Sequence, residues 1–123
     1  MKNNFKIKNG VLLRYEGREQ DVTVPEGVNE IAEKAFEQNI FLKTVRLPSG
    51  VRRIGKKAFC YCKNMDEISF PETLEEIGAG AFAYCEKLAK VYYSGTREEW
   101  ASVSIGEENS CLTDAEITYD YVS

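Results

Sequence analysis

The residues with the most reactive chemistry in this chain are four cysteines, Cys60, Cys62, Cys85 and Cys111. Thiolates serve as nucleophiles, redox partners and metal ligands. Each role has a requirement that the chain lacks. It contains no histidine, which removes Cys–His and Ser–His–Asp activation and the commonest metal ligand. Cys60-Tyr61-Cys62 leaves a single residue between its thiols, short of the spacing usual in zinc pairs. Catalysis by carboxylates or lysine alone would need acidic groups paired in a pocket, and no spacing singles out such a pair. No catalytic residue, metal or cofactor is therefore expected, and a small enzyme or metal protein is the last of the alternatives.

The elements that hold these cysteines are set by a repeat. Pro25, Pro48 and Pro71 stand at a constant interval of 23 residues. Val28, Val51 and Leu74 keep the same step, as do Ile31, Ile54 and Ile77, then Ala35-Phe36, Ala58-Phe59 and Ala81-Phe82. A fixed period in this range is the mark of a solenoid. Within one unit, Ile68-Ser69-Phe70 alternates as a short strand does, with Ser69 outward. Pro71, which has no N–H to donate, ends the ladder. Residues 81–85 are expected to form a turn or two of helix with Phe82 filling the interior. A strand–crossover–parallel strand unit is almost always right-handed. The expectation is an α/β, right-handed solenoid with one short parallel strand per turn.

Strands in a sheet lie about 4.8 Å apart, so residues 23 apart become lateral neighbours. Charge supports that register. Glu30, Arg53 and Glu76 stack as acid, base, acid. Glu33 falls beside Lys56, Lys43 beside Asp66, Arg52 beside Glu75, Lys63 beside Glu86, and Glu67 beside Lys90; only Lys34 beside Lys57 opposes the rule. The basic cluster of the second repeat is thereby neutralised by its neighbours, with Arg46 as the exception. In the column Gln38, Tyr61, Tyr84, the two tyrosines are expected to cover the core.

An open stack needs caps. Asn9-Gly10 between alternating runs predicts a hairpin over residues 5–15. At the other end the repeat decays. A step of 23 puts Ser94 at the proline position, Trp100 at the isoleucine position and Ile105 at the phenylalanine position. It also sets Glu98 and Glu99 against Glu75 and Glu76. Thr96-Arg97-Glu98-Glu99 is a capping box that starts a helix near Arg97, Trp100 closes the interior, and residues 117–121 form the last strand. One domain spans 1–123: an N-terminal cap over 5–21, repeats over 22–44, 45–67 and 68–90, and a degenerate repeat with a C-terminal helix–strand cap over 91–123.

The unit ISFPETLEEIGAGAFAYCEKLAK resembles the BspA-type (Treponema pallidum-type) leucine-rich repeat. The likeness runs through Leu42, Val45, Leu47, Pro48, Val51, Ile54, Gly55, Ala58, Phe59 and Cys62, and through the corresponding residues from Met65 to Cys85. The first repeat departs from it at Ala32 and Asn39. The resemblance implies a leucine-rich-repeat solenoid and, from the habits of the family, a bacterial surface or secreted protein acting in adhesion.

Cys62 and Cys85 share one repeat position, about 5 Å apart at Cα. Parallel Cβ vectors suit two buried thiols better than a bridge. Cys60 and Cys111 have no counterpart, which leaves partial exposure open to either. The outward strand positions are the candidate binding surface: one row is Thr23, Arg46, Ser69 and Tyr92, the other Thr44, Glu67 and Lys90. Solenoids bind through such faces, and Tyr and Arg favour interface anchors.

The expected function is a non-catalytic module that presents this face to a protein or glycan partner. The alternative is a spacer or capping segment of a longer surface protein. A formal charge of −4 disfavours nucleic acid, and no apolar run is long enough to insert in a membrane. For location the signs divide. The absence of a signal core in residues 1–8 and the free thiols favour the cytoplasm, and the family resemblance favours secretion or the cell surface.

Overall fold

The computed structural model of the chain describes residues 4–122. It begins with the expected hairpin. β1 (Phe5–Lys8) and β2 (Val11–Tyr15) pair antiparallel around Asn9 and Gly10. Both turn residues have positive φ, 52° and 80°, the conformation a tight two-residue hairpin demands. Each following coil carries a strand at the expected place: β3 (Asp21–Thr23), β5 (Thr44–Arg46), β7 (Glu67–Phe70) and β9 (Lys90–Tyr93). Val22, Val45, Ile68 and Val91 stand side by side, so the step of 23 is the register of the sheet.

Each coil also carries a second strand, which corrects the expectation of one. β4 (Glu30–Ile31), β6 (Arg53–Ile54) and β8 (Glu76–Ile77) form their own parallel ladder, continuous with β2. The ladder passes close at its glycines. A Cβ on Gly55 would lie 2.6 Å from the Glu33 nitrogen, and one on Gly78 2.7 Å from the Lys56 nitrogen. Here glycine is required by the approach of one coil's backbone to the next.

The expected helical turn is also replaced. In residues 34–39, alternate N–H groups bond within the coil and across to the next. Ala35, Glu37 and Asn39 donate to carbonyls three residues back, while Lys34, Phe36 and Gln38 donate to Lys56, Ala58 and Cys60. Residues 57–62 repeat the pattern toward the third coil. A helix would close all these bonds locally; the stack uses half of them to join its coils. The backbone conformation adjusts accordingly. Lys34, Gln38, Lys57, Tyr61, Gly80 and Tyr84 occupy matching positions, and all have φ between 61° and 66° except Lys57 at 58°.

Phe36, Phe59 and Phe82 stack inside these turns with centroids 4.7 and 5.1 Å apart. Tyr15 of the hairpin extends the column at 5.3 Å from Phe36, and Phe5 closes it at 4.9 Å. Stacked aromatics each contribute about 0.5–1.5 kcal/mol beyond the area they bury.

The C-terminal end departs from the period. α1 (Arg97–Ala101) starts at the predicted capping box: the Glu99 N–H donates to Thr96 Oγ1, and the Thr96 N–H donates to Glu99 Oε1. α1 lengthens the coil, so β10 (Ser104–Ile105) sets Ser104 beside Glu76 and Ile105 beside Ile77, a step of 28. The assignments of Trp100 to the isoleucine position and Ile105 to the phenylalanine position are thus corrected, as is the like-charge contact of Glu98 and Glu99. Trp100 is half-buried against Phe70 and Tyr93, at centroid distances of 5.6 and 5.1 Å. After α2 (Ser110–Thr113), β11 (Glu116–Thr118) pairs with β9 and is shorter and earlier than the strand expected over 117–121.

Asn109, just before α2, is 4% exposed and seals this end. Its Oδ1 accepts from the Phe82 N–H at 2.9 Å, and its Nδ2 donates to the carbonyls of Gly78 and Gly106 at 3.0 and 2.9 Å. The helices α1 and α2 both belong to this end; the repeating coils are strands and turns.

Candidate functional site

The two rows proposed from sequence lie on one face of the ladder β3–β5–β7–β9–β11. Thr23, Arg46, Ser69 and Tyr92 are direct lateral partners on consecutive strands, and so are Thr44, Glu67 and Lys90. Strand alternation explains the face: Val22, Val45, Ile68 and Val91 between the rows are buried, so the residues on either side of them point outward.

The face holds a trough of about 360 Å³. Six of the seven candidates line it; Lys90 belongs to the row but not to the lining. Thr23 and Arg46 are exposed, whereas Thr44, Glu67, Ser69 and Tyr92 are half-buried. Sequence reasoning missed two lining residues, Asp21 and Tyr121. Asp21 was within reach of the period, since it pairs with Thr44; the Thr44 hydroxyl donates to its Oδ1 at 2.7 Å. Tyr121 lies past the break in register and had no signal. Its ring sits 4.7 Å from that of Tyr92, tilted by 38°.

Arg46 is as isolated as the columns implied. Among the described residues the ion pairs are Lys6–Glu16 and Arg53–Glu76, and Arg46 joins neither. Arg53–Glu76 is also the one complementary column that closes to ion-pair distance, at 3.8 Å and well exposed. The remaining columns specify register through the lateral order of charge, and exposed pairs of this kind contribute little stability.

The cysteines are free thiols. Cys62 Sγ donates to the Phe36 carbonyl at 3.2 Å, and Cys85 Sγ to the Phe59 carbonyl at 3.0 Å. Each thiol thus pins its coil to the one before. Asn39 does the same for the first repeat, with Nδ2 donating to Gly17 at 3.2 Å. The neighbouring Cys62 thiol and burial push the Cys85 thiol up. Burial raises Cys60 and Cys111 as well. Cys60 is buried and Cys111 half-buried, so partial exposure falls to Cys111. Low thiolate content makes these groups poor nucleophiles. Among the described residues no group of three or more His, Cys, Asp or Glu is placed to hold a metal ion, and no described helix is long and apolar enough to cross a membrane.

Tyr61 and Tyr84 stack at 4.4 Å with planes 9° apart. They are 37% and 55% exposed and pack on each other, where a cover for the core was expected. Their left-handed backbone directs them away from the interior that Phe59 and Phe82 fill.

A stack of short parallel strands, glycine-spaced coils and a polar ladder face defines a leucine-rich-repeat solenoid, a class whose members are generally binding modules. Residues 15–108 match the BspA type leucine rich repeat region, and the chain belongs to that family. Its fold is similar to the T. pallidum leucine-rich repeat protein (TM-score 0.70, 30% identity, 89% of this chain and 56% of that one). A leucine-rich repeat protein from Bacteroides capillosus shares the fold (TM-score 0.70, 23% identity, 94% of this chain and 99% of that one). So does the pneumococcal vaccine antigen PcpA (TM-score 0.63, 20% identity, 97% of this chain and 35% of that one). The chain therefore spans just over half the length of the T. pallidum protein. No curated protein matches it.

Proposed function

We propose that the chain is a non-catalytic interaction module, presenting the β3–β11 ladder face to a protein or glycan partner in adhesion at a bacterial surface. The observation that carries this reading is Arg46. Its guanidinium stands exposed between Thr23 and Ser69 with no ion-pair partner among the described residues, and the scaffold makes no use of it. The Tyr92–Tyr121 pair lines the same trough and supplies the aromatic area that anchors interfaces. A second reading, one segment of a longer surface protein, draws support from the 35% and 56% shares of the longer PcpA and T. pallidum chains.

The test is a side-by-side screen of wild type and Arg46→Ala/Tyr92→Ala against immobilised surface proteins and glycans. Ligands held by the wild type should lose at least about tenfold in affinity with the double variant, the scale of one anchor residue. Binding that survives unchanged removes the ladder face as the site.

A further inference from the structure

We infer that the trough takes a neutral saccharide of one or two rings, an assignment that rests on the interaction-module reading and narrows it. Size is the first reason. The trough volume of about 360 Å³ sits near the lower end of the roughly 300–1,000 Å³ of small-molecule sites. A stable protein partner would spread over about 800 Å² of surface, well past this trough.

Charge is the second reason. The trough is lined by two carboxylates, Asp21 and Glu67, which flank Thr44, and by one guanidinium, Arg46. A phosphate, sulfate or acidic sugar would meet both carboxylates, and a polycation would meet Arg46. A hydroxyl-rich neutral ligand satisfies all three, since its hydroxyls donate to the carboxylates and accept from the guanidinium. Such bonds to charged groups are shorter and stronger than neutral ones. Thr44 already donates to Oδ1 of Asp21, which turns that carboxylate into a positioned acceptor. Carboxylate and guanidinium are planar forks, and each suits a pair of adjacent hydroxyls on one sugar ring.

The third reason is the aromatic end of the trough. Tyr92 and Tyr121 are tilted by 38° and both line the trough. Each offers an apolar ring body with a polar tip, the surface against which the C–H face of a sugar packs while its hydroxyls stay wet. The parallel ladder already satisfies most of the backbone donors and acceptors of the floor, so recognition falls to these side chains.

The experiment is an amide chemical-shift titration of isotope-labelled protein with glucose, galactose, mannose, N-acetylglucosamine and N-acetylgalactosamine, with N-acetylneuraminic acid as the acidic comparison. At least one neutral sugar should shift the amides of Thr23, Arg46, Ser69 and Tyr92 with millimolar affinity, and Tyr121→Ala and Asp21→Asn should each abolish the shifts while the rest of the amide spectrum stays that of the folded wild type. Shifts by N-acetylneuraminic acid alone, or by no sugar in the set, overturn the inference. A protein ligand that still depends on Arg46 in the immobilised screen would then leave the interaction module standing and remove only its saccharide.

Discussion

The Asn109 side-chain oxygen accepts the Phe82 N–H at 2.9 Å, standing where the backbone carbonyls of Ala58 and Ala81 accept from Phe36 and Phe59. The chain that follows supplies the Glu107 carbonyl to the Gly80 N–H, and at Phe82 a buried side-chain amide takes the place of the next carbonyl.

Asn109→Ala removes that acceptor and strands the carbonyls its amide served. An unsatisfied buried group costs about 1–3 kcal/mol, so the variant should lose about 2–4 kcal/mol in urea unfolding. A loss below about 0.5 kcal/mol would show that the end of the stack is held by other contacts.

Gly78→Ala drives a Cβ to 2.7 Å from the Lys56 nitrogen. Backbone cannot step aside as a flexible side chain can, so an overpacking cost of about 1–3 kcal/mol is expected. Denaturant midpoints at unchanged slope are the measurement, and an unaltered midpoint would mean the coils can separate freely.

Lys57 and Gly80 share a repeat position, with φ of 58° and 66°. A left-handed non-glycine residue costs about 1–2 kcal/mol, and glycine gives back about 0.5–1 kcal/mol in chain entropy. Lys57→Gly should therefore leave stability unchanged or raise it by up to about 1.5 kcal/mol. Tyr61→Gly relieves the same strain but breaks the stack with Tyr84, worth about 0.5–1.5 kcal/mol, so its thermal midpoint should fall below that of Lys57→Gly. The reverse order would sink this account of the column.

Stability should decline in alkali. An unfolded thiol ionises near about pH 8.5, while Cys60, Cys85 and Cys111 are held higher in the fold. The folded state then keeps protons that the unfolded chain releases. Its stability is full below the unfolded value and is lost as pH rises through the folded ones. Tyr15 and Tyr93, also raised by burial, extend the decline above about pH 10. Unfolding free energies taken across this range should fall steadily, and Cys85→Ala should flatten the slope; a level profile in the wild type would contradict the thiol burial.

Legibility in the sequence followed the kind of interaction. Side chains that repeat by type, such as Val22–Val45–Ile68–Val91, declared their register, and Asn9-Gly10 and Thr96–Glu99 declared turn and cap through residue chemistry. Backbone hydrogen bonding left fainter marks. Glu30-Ile31 is too short to alternate, so its ladder read as loop, and nothing in Lys57 or Tyr61 as residue types signals positive φ. The longer last coil was concealed because Trp100 and Ile105 are apolar at either step. Glu98 and Glu99 against Glu75 and Glu76 was a trace of it: a step of 23 would set four like charges side by side, and the longer step puts Ser104 beside Glu76 instead. On the face, the period reached Arg46 and Tyr92, while Asp21 lay one rung before the start of the Thr44 row and Tyr121 beyond the break.

The alternating donors of residues 34–39 and 57–62 make the coils interdependent. Opening one coil breaks its own turns and orphans the N–H groups of the coil before it, so the chain frays inward from its caps as a zipper does. Coil 45–67, with a neighbour on each side, should exchange its amides last.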